Sequence, residues 1–258
     1  MTQPGSEPPD AREFWIARGD MAKDVAAVSP GSANSAYENW TRGCLQEWAL
    51  RRARRHLGPR FRRAVDLGCG YGDWTVRFAA MADEVIACDV SPGFAEEAAR
   101  RLRESGHPAA TVVCGDVRGF DGYRDADLVY LGAVLMYLDD DGCVSLLRSV
   151  RERIAPRGLL LSRDWCAIRL GRARVNTTPW FSVHRRARRY VELAEQAGFR
   201  VIESASSTSI YGEEMAYRYL ARRSEAATAW LRWPARLPWT AASLFWTRGS
   251  VSFVMRPA

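Results

Sequence analysis

The chain of 258 residues carries a formal net charge of +7 at pH 7, with 47% hydrophobic residues. That length buries a full core as one α/β domain with additions, and no window offers the roughly 18 uninterrupted apolar residues of a membrane span. Lys23 is the one lysine, so the excess charge is arginine; the clusters at 51–55, 60–63 and 185–189 read as solvated faces rather than a nucleic-acid footprint, which leaves an anionic small substrate open.

The first ten residues, Met1–Asp10, lack the basic start and apolar core of a signal peptide and read as a disordered lead-in. Four aromatics, Phe14, Trp15, Tyr37 and Trp40, precede a helix predicted over Leu45–Leu57. That helix carries Leu45, Trp48 and Ala49 on one face, Arg51 and Arg55 on the other, and stops at Gly58-Pro59. A buried strand follows at Ala64–Leu67, then Gly68, Gly70 and Gly72, then a helix over Trp74–Met81. Further strands read at Glu84–Asp89, Thr111–Val117, Asp127–Gly132 and Gly158–Asp164. Helical segments separate nearly all of them: Ser91-Pro92 opens one running to Glu104, and Val144–Ile154 is another. Strands alternating with helices imply a doubly wound parallel sheet with its ligand groups at the strands' carboxyl ends. The last strands read at Phe199–Glu203, after a helix over Arg188–Ala197, and at Ser250–Met255.

Glycines between a strand and a helix let the backbone turn tightly and approach a ligand. Their spacing here is not that of a dinucleotide fingerprint: G-x-G-x-x-G from Gly68 would need glycine where Asp73 stands, and from Gly70 where Thr75 stands. The D-x-G-x-G-x-G loop Asp66–Gly72, with Asp89 and Asp116 closing the next two strands, resembles motif I and its companions in the class I S-adenosylmethionine (SAM)-dependent methyltransferases, bacterial small-molecule type. The resemblance covers about residues 60–205 and the last strand. It implies a Rossmann-like, seven-stranded, mostly parallel sheet with SAM as cofactor. Asp66 would lie near the amino acid end of SAM and Gly68, Gly70 and Gly72 under its methionine and ribose. Asp89 would bind the ribose, Asp116 and the Val117 amide the adenine edge, and Leu131 would lie at the cofactor from the fourth strand. Residues 1–58 would form the N-terminus and a helical lid, and 59–258 the SAM-binding domain. Tyr37 or Trp40 would touch the methionine carboxylate, or pack the lid.

Chemistry is expected at the tips of the fourth and fifth strands. No Asn-Pro-Pro-Tyr motif and no Pro-Cys pair follows the fourth strand, which counts against a base-modifying enzyme. Asp139, Asp140 and Asp141 read as helix-start acids rather than metal ligands. With three histidines and no C-x-x-C among the six cysteines, no metal site is expected, and the cysteines read as reduced thiols of a cytoplasmic protein. Candidate bases for the acceptor are Asp164, Tyr137 and His184; structural or capping roles stand beside that reading for Asp164 and His184. Residues at about 206–249 form an aromatic-rich insertion, including Trp230, Trp233, Trp239 and Trp246. It could cover a bulky acceptor, form a homodimer interface, pack as a helical subdomain, or touch a membrane peripherally. The reading is a methyltransferase acting on oxygen or nitrogen of a small molecule, a specialised metabolite (as in antibiotic biosynthesis) or sugar-containing acceptor. RNA or protein methylation and a non-catalytic SAM-binding role are the alternatives.

Overall fold

The computed structural model describes residues 10–21, 36–107, 110–167, 172–177, 181–207 and 248–258, without side chains at 21, 36–44, 206, 207, 248 and 249. Most of the 206–249 insertion, with its tryptophans, therefore lies outside the described residues, as do the first nine positions.

Helices α1 (Ala11–Met21) and α2 (Ala36–Leu57) lead into β1 (Phe61–Leu67), α3 (Asp73–Ala79), β2 (Ala82–Asp89), α4 (Pro92–Glu104) and β3 (Thr111–Cys114). The chain then returns through β4 (Leu128–Gly132), a 3₁₀ turn at Leu135–Tyr137, α5 (Asp140–Arg153) and β5 (Leu159–Ala167). Short strands β6 (Arg174–Asn176) and β7 (Ser182–His184) precede α6 (Ala187–Gln196), β8 (Phe199–Ser207) and β9 (Arg248–Pro257). The main sheet has seven strands in the order β3-β2-β1-β4-β5-β9-β8, and β9 alone runs antiparallel to its neighbours. The order reverses between β1 and β4. At such a switch point the loops from the two strands part and leave a crevice at the carboxyl ends.

Side chains alternate between the sheet faces because the strand period is two. Val65, Leu67, Val129, Leu131, Leu160 and Phe253 pack on one face against Leu146, Leu147 and Val150 of α5 and Tyr190 and Leu193 of α6. Ala64, Leu128, Tyr130, Leu161 and Val254 pack on the other against Leu45 and Trp48 of α2 and Trp74 and Phe78 of α3. Each large apolar side chain so buried contributes about 1.5–3 kcal/mol. The two cores fix the sheet between helical layers and leave its carboxyl edge to the loops.

Several boundaries differ from the sequence reading. Helix α2 begins at Ala36 rather than Leu45, running through Gly43, a residue that costs a helix only about 1 kcal/mol. Helix α5 begins at Asp140 rather than Val144, because Asp139 caps it: its Oδ1 accepts the Gly142 amide at 2.7 Å. The triple aspartate is thus spent on the helix start. Asp140 also takes Arg185 at 2.6 Å and Arg189 at 2.8 Å. Strands β6 and β7 were not anticipated, since three residues each are too few to show alternation. No helix of the described residues is long and apolar enough to cross a membrane.

Candidate active site

Between the carboxyl ends of β1, β2 and β4 lies a cleft of about 390 Å³, walled on one side by α1. Its floor is the loop after β1. Gly68, Gly70 and Gly72 take φ values of 74°, 55° and 85°, the left-handed region that favours glycine. A Cβ on Gly68 would stand 2.5 Å from Val134 Cγ2, and one on Gly72 2.9 Å from Ala98 Cα. The loop therefore has no room for side chains, and its backbone can lie directly against a ligand.

Three carboxylates stand around this floor, each in a different state. Asp66 ends β1 on the face of Tyr130, is buried, and accepts Thr75 Oγ1 at 2.7 Å. Burial lifts its pKa to about 7; the Thr75 hydrogen bond opposes this, and nearby Asp89 and Asp73 add to it. Asp89, at the end of β2, is 7% exposed. Its Oδ2 accepts the Gly70 amide at 2.7 Å and its Oδ1 the Ser91 amide at 3.0 Å. Burial raises its pKa, and those backbone hydrogen bonds restrain the rise. Asp116, beyond β3, is gripped by Arg118 at 2.5 Å and lies 4.0 Å from Arg12 of α1. Partial burial pushes its pKa upward, but the Arg118 hydrogen bonds and charge prevail and hold it below the usual carboxylate value.

Among the positions singled out from sequence, Asp66, Gly68, Gly70, Asp89, Asp116, Val117 and Tyr137 line the cleft. Gly72 sits just behind its wall, against α4, and Leu131 is fully buried in the core. Asp164 is also fully buried; its Oδ1 accepts the Met136 amide at 3.1 Å, and its Oδ2 has no partner. Burial lifts its pKa to about 6 against the pull of Arg163. It thus holds the 3₁₀ turn that presents Tyr137. The phenol of Tyr137 is pushed well above its ordinary pKa, by burial first and Asp164 second, and stays neutral. His184 sits on β7 opposite Arg174, away from the cleft. The side chains of Tyr37 and Trp40 lie outside the described residues, though both belong to α2.

The cleft also contains residues the sequence did not single out. Trp15 of α1 packs edge-on to Tyr137, with centroids 5.5 Å apart. Helix α1 reaches this position because Gly19 and Gly93 touch: a Cβ on Gly93 would stand 2.5 Å from the Gly19 carbonyl oxygen. Gln46, Tyr130 and Arg163 form the inner end. A two-residue period running from Asp66 through the sheet register would have pointed to Tyr130, its direct neighbour on β4.

The left-handed glycine floor, the buried acid beside it and the second acid, anchored by backbone amides at the cleft, suit an amino-acid-bearing nucleoside. SAM is such a molecule. A sequence model of the methyltransferase domain matches residues 64–158. Over 101 residues the chain is 38% identical to trans-aconitate 2-methyltransferase of Methylobacterium radiotolerans, covering 38% of this chain and 36% of that protein. The chain therefore spans little more than a third of that curated relative. Among solved structures, a SAM-dependent methyltransferase from Leishmania major aligns over 95% of this chain and 82% of its own, with TM-score 0.66 and 16% identity. The N-methyltransferase NodS of Bradyrhizobium japonicum, solved with S-adenosylhomocysteine, aligns over 96% and 98%, with TM-score 0.62 and 12% identity. Those identities speak to the fold. Residues 64–158 match the methyltransferase domain, and in the sheet and glycine loop they carry the chain is similar to the class I SAM-dependent methyltransferases.

Proposed function

We propose that the protein transfers the methyl group of SAM to an oxygen or nitrogen of a small molecule. One observation carries the reading: the glycine floor and three strand-end acids of adjacent parallel strands surround a single cleft. The relative named for trans-aconitate, itself a small molecule, agrees with that acceptor class. SAM supplies a methyl on a sulfonium, an already activated centre with a thioether as leaving group.

The residues of the chain have to bind, orient and exclude water. Asp66 would hold the ammonium of the amino acid tail, and the left-handed loop would support that tail from below. Asp89, anchored by backbone amides that include those of Gly70 and Ser91, would turn its remaining acceptor capacity to the ribose hydroxyls. Val117 and Asp116 lie at the base, where α1 closes the mouth through Arg12 and Trp15. Neither histidine nor an accessible imidazole-like base lines the cleft among the described residues, and Tyr137 is a neutral phenol. The acceptor is therefore one already nucleophilic near neutral pH, such as a carboxylate oxygen or an unprotonated amine, which Tyr137 orients by hydrogen bonding. Asp164 acts on this step through the turn that carries Tyr137, as a positioning residue.

Asp89→Ala removes the ribose acceptor and is expected to weaken S-adenosylhomocysteine binding by about ten- to a hundredfold by calorimetry; unchanged affinity would reject this cofactor assignment. The pH dependence follows from Asp66. Its carboxyl is largely protonated below about 7 in the free protein, and a cation beside it favours the ionised form. Binding thus releases a proton, so affinity should rise as pH climbs from 5.5 through about 7 and then level off, and Asp66→Asn should flatten that curve. Titrations in buffers of different ionisation enthalpy read the proton directly; an equal slope in the variant would place the titration elsewhere. Asp164→Asn should lower the rate at which labelled methyl enters a small-molecule fraction, with homocysteine-product affinity unchanged. Loss of both together would mark Asp164 as a general structural residue.

A further inference from the structure

Two arginines are buried in the described structure, and they are treated in opposite ways. Arg185 is 2% exposed and saturated: it donates to Asp140 Oδ1 at 2.6 Å, to the Leu135 carbonyl at 3.0 Å and to the Leu138 carbonyl at 2.6 Å. Arg163 is 7% exposed, lines the inner end of the cleft, and forms no ion pair among the described residues. Its Nε has no hydrogen-bond partner. The charge of Arg163 acts on Asp164, its neighbour in sequence, but the two make no ion-pair contact, because neighbouring residues of a strand point to opposite faces. A buried guanidinium with no carboxylate in contact and an unpartnered Nε is an unfavourable arrangement unless a ligand completes it.

Its surroundings are also donors. The Tyr130 hydroxyl, on the same face of the sheet, receives Gln46 Nε2 at 3.3 Å and is hydrogen-bonded to Arg163. Burial raises the Tyr130 pKa, so the phenol keeps its proton and can donate it. Directly opposite Arg163 on β9, Ser252 is 1% exposed and its Oγ is also without a partner. Gln46 and Tyr130 line the cleft with Arg163. The inner end therefore offers a fork of N–H groups and a phenolic O–H in a dry wall, and lacks only the oxyanion they would hold.

We infer that Arg163, Tyr130 and Gln46 form a carboxylate-binding site at the inner end of the cleft. The carboxylate belongs either to the amino acid tail of the cofactor or to the acceptor; both present two oxygens to the fork. In the second case the site selects an anionic acceptor. The inference rests on the reading of the cleft as a SAM site and extends it to residues outside the glycine loop and its acids.

The test uses Arg163→Met, which removes the charge and keeps the packing, and Tyr130→Phe, which removes only the hydroxyl. Calorimetry would follow S-adenosylhomocysteine, then 5′-methylthioadenosine, which is the same nucleoside thioether without the amino acid carboxylate. Citrate would be titrated into the S-adenosylhomocysteine-loaded protein. If the cofactor supplies the carboxylate, Arg163→Met weakens S-adenosylhomocysteine about tenfold or more and leaves methylthioadenosine within about twofold. If the acceptor supplies it, both nucleosides bind as in the wild type, while citrate binds the loaded wild type and not the variant. Tyr130→Phe should follow the same pattern with a smaller loss. Equal weakening of both nucleosides, or no change with any probe, overturns the inference while the SAM reading stands. Failure of the wild type to bind S-adenosylhomocysteine would remove that reading and this inference with it.

Discussion

The hydrogen bond from the Gly70 amide to Asp89 Oδ2, 2.7 Å long, joins the loop after β1 to the tip of β2. The Gly68 and Cys69 amides reinforce it by donating to the Cys88 carbonyl at 2.8 and 3.1 Å. A loop whose glycines all sit at positive φ has many other conformations open to it, so these bonds decide which one it keeps. With the loop held, Gly68 packs under Val134 of the β4 loop and Gly72 against α4. One acid thus serves twice, fixing the floor of the cleft through its backbone contacts and keeping lone pairs for a ligand.

Charge is segregated along the cleft. Carboxylates gather at the glycine end, and two of them, Asp66 and Asp89, are buried enough that their ionised forms are disfavoured. A cationic ligand relieves that condition by favouring the ionised carboxylates. Further in, Arg163 presents a buried Nε without a hydrogen-bond partner, beside the Tyr130 hydroxyl. A molecule carrying a cation near the glycines and an oxyanion further in would satisfy both ends at once. Helix α1 closes the remaining side by contacts from Trp15 to Tyr137 and Phe94.

The sheet was legible because its signals are local. Apolar runs, glycine spacing and an acid closing each of three strands stand within a few residues of one another, and they placed Asp66, Asp89 and Asp116 around one cleft. Helix ends were less legible: Asp139–Asp141 read as helix-start acids, yet the sequence places the helix from Val144, and the cap from Asp139 to Gly142 sets its start at Asp140. What depends on distant pairing was not legible. Trp15 and Gln46 come from helices far from the glycine loop in sequence; the N-terminal segment is expected as a lid, but with Tyr37 or Trp40 as its contact rather than either of these. Tyr130 and Arg163 look like strand interior, since which face a strand residue takes depends on the register with its neighbours. The same alternation separates Arg163, which lines the cleft, from Asp164, which is buried behind it. Tyr37, Trp40 and the aromatic insertion fall where no side chains are described.

The central claim is methyl transfer to a small molecule, and its most direct measurement is labelled transfer from SAM into a fractionated extract of the source organism, followed separately into small molecules, lipids, RNA and protein. The account predicts label in the small-molecule fraction, dependent on Asp89. Label confined to RNA or protein, with none in small molecules, would contradict it.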